Sequence, residues 1–261
     1  MSVNTIWIAS VPRTGSMWTT NIIREIFFEG NLNVFPKDQI QSDKEILEYY
    51  NSEVQLDENN LNKFVLKIHR KLTIFPPRSK IITNIRNPFD ICASHNEFMK
   101  CDLDKSISVA SDLSNWIKYY KNLYNDVFLV KYEDIENRTN FLIQKLSEFC
   151  EVKLSEMQIQ NIIKKYSKNK VMNLIKNNDE EIKTKIKKKE TVDEKKIVRF
   201  RNGSYRSFDI NTGFQTGHVS QRKSGEWKKV FSAHEINIII EKLDSVAVEL
   251  GYSSEKKIKN L

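Results

Sequence analysis

The sequence has few of the residues that interrupt or cross-link a chain: its 261 residues include only 7 Gly, 5 Pro and 3 Cys. So few Gly and Pro exclude a collagen-like chain and make long flexible linkers unexpected. The cysteines Cys92, Cys101 and Cys150 are odd in number and lack Cys-x-x-Cys spacing, so neither a disulfide framework nor a zinc site is indicated. A reduced, cytoplasmic protein is therefore expected.

Long apolar runs are also missing. Nowhere do about 18 apolar residues stand together, and Met1 to Ser10 lacks the basic and apolar regions of a signal peptide, so we expect neither a membrane span nor secretion. The chain is 39% hydrophobic and 29% charged, a composition typical of a globular protein with a real core. Its length and the absence of a clean linker predict one domain over residues 1–261.

Positive charge is concentrated in one segment. The chain has 42 Lys and Arg against 34 Asp and Glu, a net charge of +8. Between Ile182 and Arg201 lie nine basic and three acidic residues, which account for six of these charges. Excess positive charge favours an anionic partner, although the acidic interruptions are more typical of a solvated face and no specific nucleic-acid partner is expected. Residues 177–221 are polar and rich in lysine, which predicts a long loop or lid.

Strand and helix patterns alternate along the chain. Short apolar, β-branched runs predict strands at Thr5–Val11, Phe64–His69, Lys80–Ile85 and Asp126–Lys131. Helical periodicity and capping signals predict helices at Met17–Phe28, Ile107–Tyr124, Thr139–Phe149, Ser155–Ile175 and Ser232–Leu250. This alternation predicts an α/β fold with a single central parallel sheet flanked by helices.

The strongest functional signal is the segment Ser10 to Trp18, between the first predicted strand and the first predicted helix. A tight turn with glycine at a helix N-terminus presents backbone N–H groups and the positive end of the helix to an anion. Arg13 adds charge, and Thr14 and Ser16 add hydroxyl donors. The segment lacks the glycine and lysine pattern of a Walker A loop, which argues against an ATPase. An ordinary strand-to-helix turn is the alternative.

Lys67 and His69 stand at the end of a predicted strand. Because strand residues two apart point to the same side, both can face one cleft at the carboxyl end of the sheet. A neutral His can take a proton from a hydroxyl or amine, and a Lys can stabilise the charge that grows on a leaving phosphate. A hydrogen-bonded structural histidine is the alternative.

A third motif follows the strand that ends at Ile85. Arg86 precedes a helix that Pro88 is suited to begin, and Ser94 lies about two turns inside it. One guanidinium and one hydroxyl could hold a phosphate from two sides. Taken alone, the segment also fits a plain helix start with Asp90 near its N-terminus.

Together these motifs resemble those of the cytosolic-type sulfotransferases, which use 3′-phosphoadenosine 5′-phosphosulfate (PAPS). Ser10 to Trp18 is similar to the family loop Ser-x-Pro-Lys-Ser-Gly-Thr-Thr-Trp, with Arg13 in place of Lys. Lys67 to His69 resembles Lys-Thr-His, Arg86 to Ser94 resembles the 3′-phosphate motif, and Tyr132 to Asp134 resembles Tyr-Glu-Asp. Arg222 to Lys228 is similar to Arg-Lys-Gly-x-x-Gly-Asp-Trp-Lys but is two residues shorter.

The resemblance implies a nucleotide-kinase-like P-loop fold and PAPS as donor co-substrate. No acidic pair resembling a magnesium site accompanies the loop, so we expect no metal requirement. The resemblance also implies in-line transfer of a sulfuryl group to a hydroxyl or amine, with Arg13 on the sulfuryl-bearing phosphate and Trp18 on adenine. The implied catalytic residues are His69 as base, Lys67 and Arg13. The implied donor-binding residues are Arg13, Thr14, Gly15, Ser16, Met17, Trp18, Arg86, Ser94, Tyr132, Arg222 and Lys223.

Two other functions fit the sequence. One is a nucleotide-dependent phosphotransferase built on the same strand, loop and helix. The other is a non-catalytic basic protein that binds a polyanion through Lys183 to Arg201. The acceptor of a sulfotransferase would be a small molecule or saccharide, and steroid, phenol, sugar, amine and peptide all stay open, as does the oligomeric state.

Overall fold

The computed structural model describes residues 4–54, 62–73, 78–124, 126–200 and 203–258. The strands are β1 (Thr5–Ala9), β2 (Asn33–Phe35), β3 (Asn62–Ile68), β4 (Ser79–Ile85), β5 (Val127–Lys131), β6 (Ile197–Arg199) and β7 (Tyr205–Ser207). The helices are α1 (Ser16–Glu29), α2 (Asp43–Tyr49), α3 (Pro88–Met99), α4 (Leu103–Leu123), α5 (Tyr132–Asn137), α6 (Thr139–Phe149), α7 (Glu156–Lys165), α8 (Lys168–Lys187), α9 (Ala233–Glu249) and α10 (Glu255–Ile258). None of the helices in these ranges is long and apolar enough to cross a membrane.

Five strands form the central sheet, in the order β2-β3-β1-β4-β5. β2 pairs in parallel with β3, and β4 pairs in parallel with β5, with Ile81 opposite Val127. Every residue of β1 is buried, as expected for a parallel strand covered on both faces. The predicted α/β class with a central parallel sheet flanked by helices is thus confirmed.

The chain divides into two compact units. The first comprises the described parts of 1–5, 17–66 and 143–219, and the second those of 6–16, 67–142 and 220–261. Apart from Met17 and Trp18, all predicted site residues belong to the second unit.

The second unit is organised around α3. This helix packs against α4 and α9, and the ring of Phe89 in its first turn stacks on Trp227, with centroids 4.8 Å apart and planes at 14°. Asn87 caps its N-terminus, since its side chain accepts the backbone N–H of Phe89 at 3.0 Å. The start of α3 therefore has a fixed position relative to the Arg86 that precedes it.

The first unit is held by α1 and α7. Ile22, Ile23 and Ile26 of α1 are fully buried. The buried carboxylate of Glu25 accepts hydrogen bonds from Lys165 Nζ at 2.8 and 2.7 Å and from the Tyr166 hydroxyl at 3.1 Å. These bonds tie the side of α1 to the end of α7.

Two predictions for the C-terminal half are wrong. The helix predicted at Ser155–Ile175 is two helices, α7 and α8, because the helical conformation is interrupted at Tyr166 and Ser167. The long loop predicted for 177–221 is helical up to Lys187, since Ile182 is buried and Lys183 pairs with Asp179 one turn earlier at 2.5 Å. The rest of that segment contains the antiparallel pair of β6 and β7.

Candidate active site

The loop between β1 and α1 has a specialised backbone. Arg13 has φ +71° and Gly15 has φ +92°, both in the left-handed region. The Thr14 hydroxyl donates to the Val11 carbonyl at 2.8 Å and closes the turn. Left-handed residues directly before a helix N-terminus direct successive N–H groups into one concave nest, a geometry that suits an anion. This geometry fits the anion site predicted at Ser10 to Trp18.

Gly15 lies so close to two neighbouring side chains that no larger residue fits at this position without displacing them. A Cβ at this position would lie 2.9 Å from Ile135 Cδ1 and 3.1 Å from Tyr132 Cδ2. These distances are shorter than normal van der Waals contacts, so Tyr132 or Ile135 would have to move. The loop therefore packs directly on the side chain of Tyr132, a predicted donor-binding residue.

We expect Gly15→Ala to reduce nucleotide binding by at least tenfold, because it adds this clash to a left-handed backbone that alone costs roughly 1–3 kcal/mol. Isothermal titration with 3′-phosphoadenosine 5′-phosphate (PAP) measures the effect. Gly251→Ala is the matched control, since Gly251 has φ +85° and an added Cβ there would have no atom of the described residues within 4 Å. Equal PAP affinities for the two variants would contradict the role of this contact.

His69 is held by two hydrogen bonds that fix its tautomer. Its Nδ1 lies 2.7 Å from the Ser10 carbonyl oxygen, and its Nε2 lies 3.1 Å from Lys67 Nζ. A carbonyl only accepts, so Nδ1 carries the proton and donates it to Ser10, which leaves the lone pair on Nε2. Burial, and secondarily the charge of Lys67, lowers the pKa of His69 to about 3. His69 is thus neutral near pH 7, with its basic nitrogen beside an ammonium group.

The protonation of His69 gives a direct prediction. Its imidazole should not titrate between pH 8 and 5, and its nitrogen shifts should show a protonated Nδ1 and a bare Nε2 in a ¹⁵N long-range NMR experiment. Lys67→Met should raise the pKa of His69, since it removes a neighbouring positive charge. A wild-type midpoint near the ordinary value of about 6.5 would contradict the lowered pKa, and a bare Nδ1 in the neutral form would contradict the tautomer assignment.

Two arginines and a serine converge beside the loop. Arg86 is only 6% exposed, and its Nη1 donates to the Arg13 carbonyl at 3.0 Å. The guanidinium of Arg86 lies 3.9 Å from the centroid of the Tyr132 ring. Arg13 Nε in turn donates to Ser94 Oγ at 3.0 Å. The structure therefore brings Arg13, Arg86, Ser94 and Tyr132 into one cluster.

This cluster has unused capacity for hydrogen bonds to an anion. Arg86 Nε is buried and has no hydrogen-bond partner among the residues that the structure describes. A buried guanidinium N–H without a partner is costly, and a phosphate oxygen would satisfy it. The residues present therefore fit a nucleotide phosphate.

The shortened C-terminal motif reaches α3. Arg222 Nη2 lies 2.7 Å from Glu97 Oε2 and its Nη1 lies 3.7 Å from Asp90 Oδ1, while Asp90 Oδ2 accepts the Gly225 N–H at 2.8 Å. Burial raises the pKa of Asp90. Arg222 is 8% exposed and its charge is balanced by carboxylates, whereas Lys223 is exposed. The structure thus brings Arg222 to the helix of Ser94 and leaves Lys223 at the surface.

Met17 and Trp18 lie in the first turn of α1, in the first unit. The thioether of Met17 packs on Gly213, where a Cβ would come within 2.7 Å of Met17 Cε. The Trp18 indole Nε1 donates to the Tyr166 carbonyl at 3.2 Å. Met17 therefore offers a ligand only its backbone, and Trp18 has a fixed ring orientation.

Some residues that shape the site were not found from the sequence. Ser10 Oγ donates to Asn84 Oδ1 at 3.1 Å and accepts the Asn84 backbone N–H at 2.9 Å, which ties the loop to β4. The signal available was the polar pair Thr83 and Asn84 between the isoleucines at the end of that strand. Phe98, whose ring lies 4.2 Å from the Arg13 guanidinium, had no signal at all.

Comparison with known proteins identifies the family of the chain. The family described as Sulfotransferase domain matches residues 4–239, nearly the whole chain. A rabbit (Oryctolagus cuniculus) amine sulfotransferase is 27% identical over 183 residues, which are 61% of this chain and 60% of that protein. The chain therefore spans less than two thirds of this relative's length.

Solved structures share the fold at low sequence identity. The mouse sulfotransferase SULT7A1 complexed with PAP has a TM-score of 0.60 at 14% identity, over 94% of this chain and 85% of that one. Retinol dehydratase in a complex with retinol and PAP has a TM-score of 0.59 at 15% identity, over 94% and 81%. Since the family match covers the strand-end loop, the Lys67 and His69 pair and the Arg86 cluster alike, the chain belongs to the sulfotransferase domain family.

Proposed function

We propose that this protein transfers a sulfuryl group from PAPS to a hydroxyl or amine of a small-molecule or saccharide acceptor. The observation that carries the proposal is the pairing of a neutral His69, whose lone pair is on Nε2, with the Lys67 ammonium 3.1 Å away. Transfer of a sulfuryl group is promoted by a base that takes the proton of the acceptor and by a cation that stabilises the charge on the leaving phosphate. His69 and Lys67 would supply these two groups at the carboxyl end of one strand. The family to which the chain belongs supports the reaction class.

The donor would be held by the predicted residues. Backbone N–H groups from Thr14 to Ser16 would take the 5′ end, Arg86 and Ser94 the 3′-phosphate, and Tyr132 the adenine. Met17 and Trp18 keep only the roles that the resemblance implies. Arg222 would add positive charge beside α3. Lys223 lies at the surface and stays a predicted donor-binding residue. When bound, PAPS supplies the sulfuryl group and a stable phosphate leaving group. The PAP named in two of the structural relatives supports this choice of donor.

The chain's own residues handle the proton and the charge. His69 Nε2 has one lone pair, which Lys67 occupies in the structure. To take a proton from the acceptor, Nε2 must exchange the Lys67 N–H for the acceptor O–H or N–H. The ammonium then needs another acceptor, and a negatively charged oxygen of the donor is the chemically suitable one. As the acceptor binds, the Lys67 ammonium would thus exchange its hydrogen bond to His69 for one to a donor oxygen at the bond that breaks.

The acceptor class is tested by transfer from ³⁵S-labelled PAPS to a panel with one phenol, one steroid alcohol, one primary amine and one saccharide. The panel includes a primary amine because the rabbit relative is named an amine sulfotransferase. We expect radiolabelled product from at least one class, with unchanged rates in EDTA. Transfer from γ-labelled ATP with magnesium and none from PAPS would instead establish the phosphotransferase.

The basic segment gives the polyanion alternative no specific support. Lys183, Lys185, Lys196 and Arg199 each form an ion pair with an acidic residue. Arg201 lies outside the described residues. An exposed segment neutralised in this way is typical of a solvated face.

A further inference from the structure

One face of α4 reaches the backbone on both sides of His69. Trp116, Tyr119 and Tyr120 stand three and four residues apart on this helix, so their side chains project from the same face. The ring centroids of Trp116 and Tyr120 are 5.8 Å apart, and those of Tyr119 and Tyr120 are 5.2 Å apart in an edge-to-face arrangement. Trp116 is 4% exposed and Tyr120 is fully buried. The proposed mechanism gives none of these three residues a role.

Trp116 fixes the peptide unit that precedes the Ser10 carbonyl. Its indole Nε1 donates to the Ala9 carbonyl oxygen at 2.9 Å. The N–H of the same peptide unit, which belongs to Ser10, donates to the Ile68 carbonyl at 3.2 Å. The next carbonyl along the chain is that of Ser10, which accepts the Nδ1–H of His69 at 2.7 Å. The carbonyl that sets the tautomer of His69 therefore follows a peptide unit that Trp116 holds in place.

Tyr119 and Tyr120 fix the chain three residues after His69. The Leu72 N–H donates to the Tyr120 hydroxyl at 3.1 Å, and the Tyr119 hydroxyl donates to the Leu72 carbonyl at 2.5 Å. Because Leu72 is only 5% exposed, water has little access to its backbone, and both of its polar groups depend on these hydroxyls. The segment 69–71 is thus held at one end by the sheet and at the other end by two tyrosines.

The same helix also binds the side chain of Lys71. Its ammonium lies 5.8 Å from the ring centroid of Trp116 and 5.6 Å from that of Tyr119. The carboxylate of Asp112, one turn before Trp116, lies 3.6 Å from the Lys71 Nζ. Backbone and side-chain contacts with one helix therefore hold the segment that begins with His69. A general base needs such a fixed position, because it must stay within hydrogen-bond distance of the proton that it takes.

We propose that Trp116, Tyr119 and Tyr120 are positioning residues for His69, which keep its Nδ1–H on the Ser10 carbonyl and thereby keep the lone pair on Nε2. They act only through the backbone that holds the imidazole. Their effect on the rate rests on the proposed function, in which His69 is the base, whereas their effect on the tautomer of His69 does not.

The test removes both tyrosine hydroxyls and keeps both rings, in the double variant Tyr119→Phe and Tyr120→Phe. We expect kcat for transfer from ³⁵S-labelled PAPS to fall about 10- to 100-fold, since a slightly displaced catalytic group costs up to that much in rate, while PAP affinity stays within about threefold. In the ¹⁵N long-range NMR experiment, neutral His69 should change from a single Nδ1–H tautomer to a mixture of two. Trp116→Phe, which keeps a ring but loses the indole N–H, should show the same two effects.

Tyr166→Phe is the matched control. The Tyr166 hydroxyl also makes a buried hydrogen bond, to Glu25 Oε2 at 3.1 Å, but it belongs to the first unit. Its loss should lower the melting temperature in the same way, yet leave kcat and the spectrum of His69 unchanged. A general loss of stability would then not explain the effects of the α4 variants.

The possible failures are distinct. A double variant with the kcat of the wild type and an unchanged His69 spectrum would overturn the inference. A lower kcat with an unchanged spectrum would also overturn it, because the loss would not pass through His69. If the double variant does not fold, Tyr119→Phe alone decides, since Tyr119 is half-buried and the change removes one hydroxyl. Absence of turnover by the wild-type protein with PAPS would overturn the proposed function, whereas the His69 spectra would still decide the inference.

Discussion

Replacing His69 with Ala is expected to lower sulfuryl transfer by about 10²- to 10⁴-fold, the usual contribution of a general base, while PAP affinity stays within about threefold. In the proposed function the lone pair on Nε2 takes the acceptor's proton, whereas the hydrogen bonds of His69 to Ser10 and Lys67 are made within the protein. The measurements are steady-state rates with ³⁵S-labelled PAPS and a parallel titration with PAP.

Two further variants make the result specific. His69→Gln can keep a donor toward the Ser10 carbonyl but has no basic nitrogen, so it should be nearly as inactive as His69→Ala. His234 is exposed on α9, and His234→Ala should retain full activity. If His69→Gln turns over at the wild-type rate, or if His69→Ala loses PAP binding, His69 is not the base.

Replacing Trp227 with Ala is expected to lower the free energy of unfolding by about 3–5 kcal/mol, the usual cost of removing a buried aromatic side chain. Trp227 is 1% exposed and stacks on Phe89 at 4.8 Å. For a chain of this length the loss corresponds to a fall in melting temperature of roughly 6–20 °C. Calorimetry or circular dichroism measures it.

The same variant reports on the C-terminal motif. Trp227 stands two residues after Gly225, whose N–H donates to Asp90, so we expect the loss of its ring to loosen the segment that carries Arg222 against α3. Trp227→Phe keeps an aromatic ring and should lose less than half as much stability. A melting temperature within about 2 °C of wild type for Trp227→Ala would show that this stack does not anchor the motif.

The sequence was most informative where the chain is fully buried. β1, β3 and β4 were predicted within about two residues because buried parallel strands are continuous apolar runs with polar residues at their ends. β2 was missed, since a strand of three residues that ends at Phe35 carries too short a pattern. The prediction ended the helix at Ile175, whereas α8 extends to Lys187. Its many charged residues leave only Val171 and Ile182 buried, which is too weak an apolar pattern to indicate the full length.

The candidate site was predictable in its residue types but not in its contacts. Motif spacing placed Lys67 and His69 on one side of a strand, and the structure shows them in contact. No local pattern could indicate that Arg13 reaches Ser94, 81 residues away, since that contact depends on the packing of α3 beside the loop. The two-residue gap in the C-terminal motif likewise hid the pairing of Arg222 with α3, which the Phe89 and Trp227 stack makes possible.

The most direct test of the donor assignment is a thermal-shift titration with PAP, compared with ATP plus magnesium. At about 100 times its dissociation constant, a ligand adds about 2.7 kcal/mol of stability, so PAP should raise the melting temperature by several degrees while ATP with magnesium should not. A shift with ATP and magnesium alone would contradict the account and indicate a phosphotransferase.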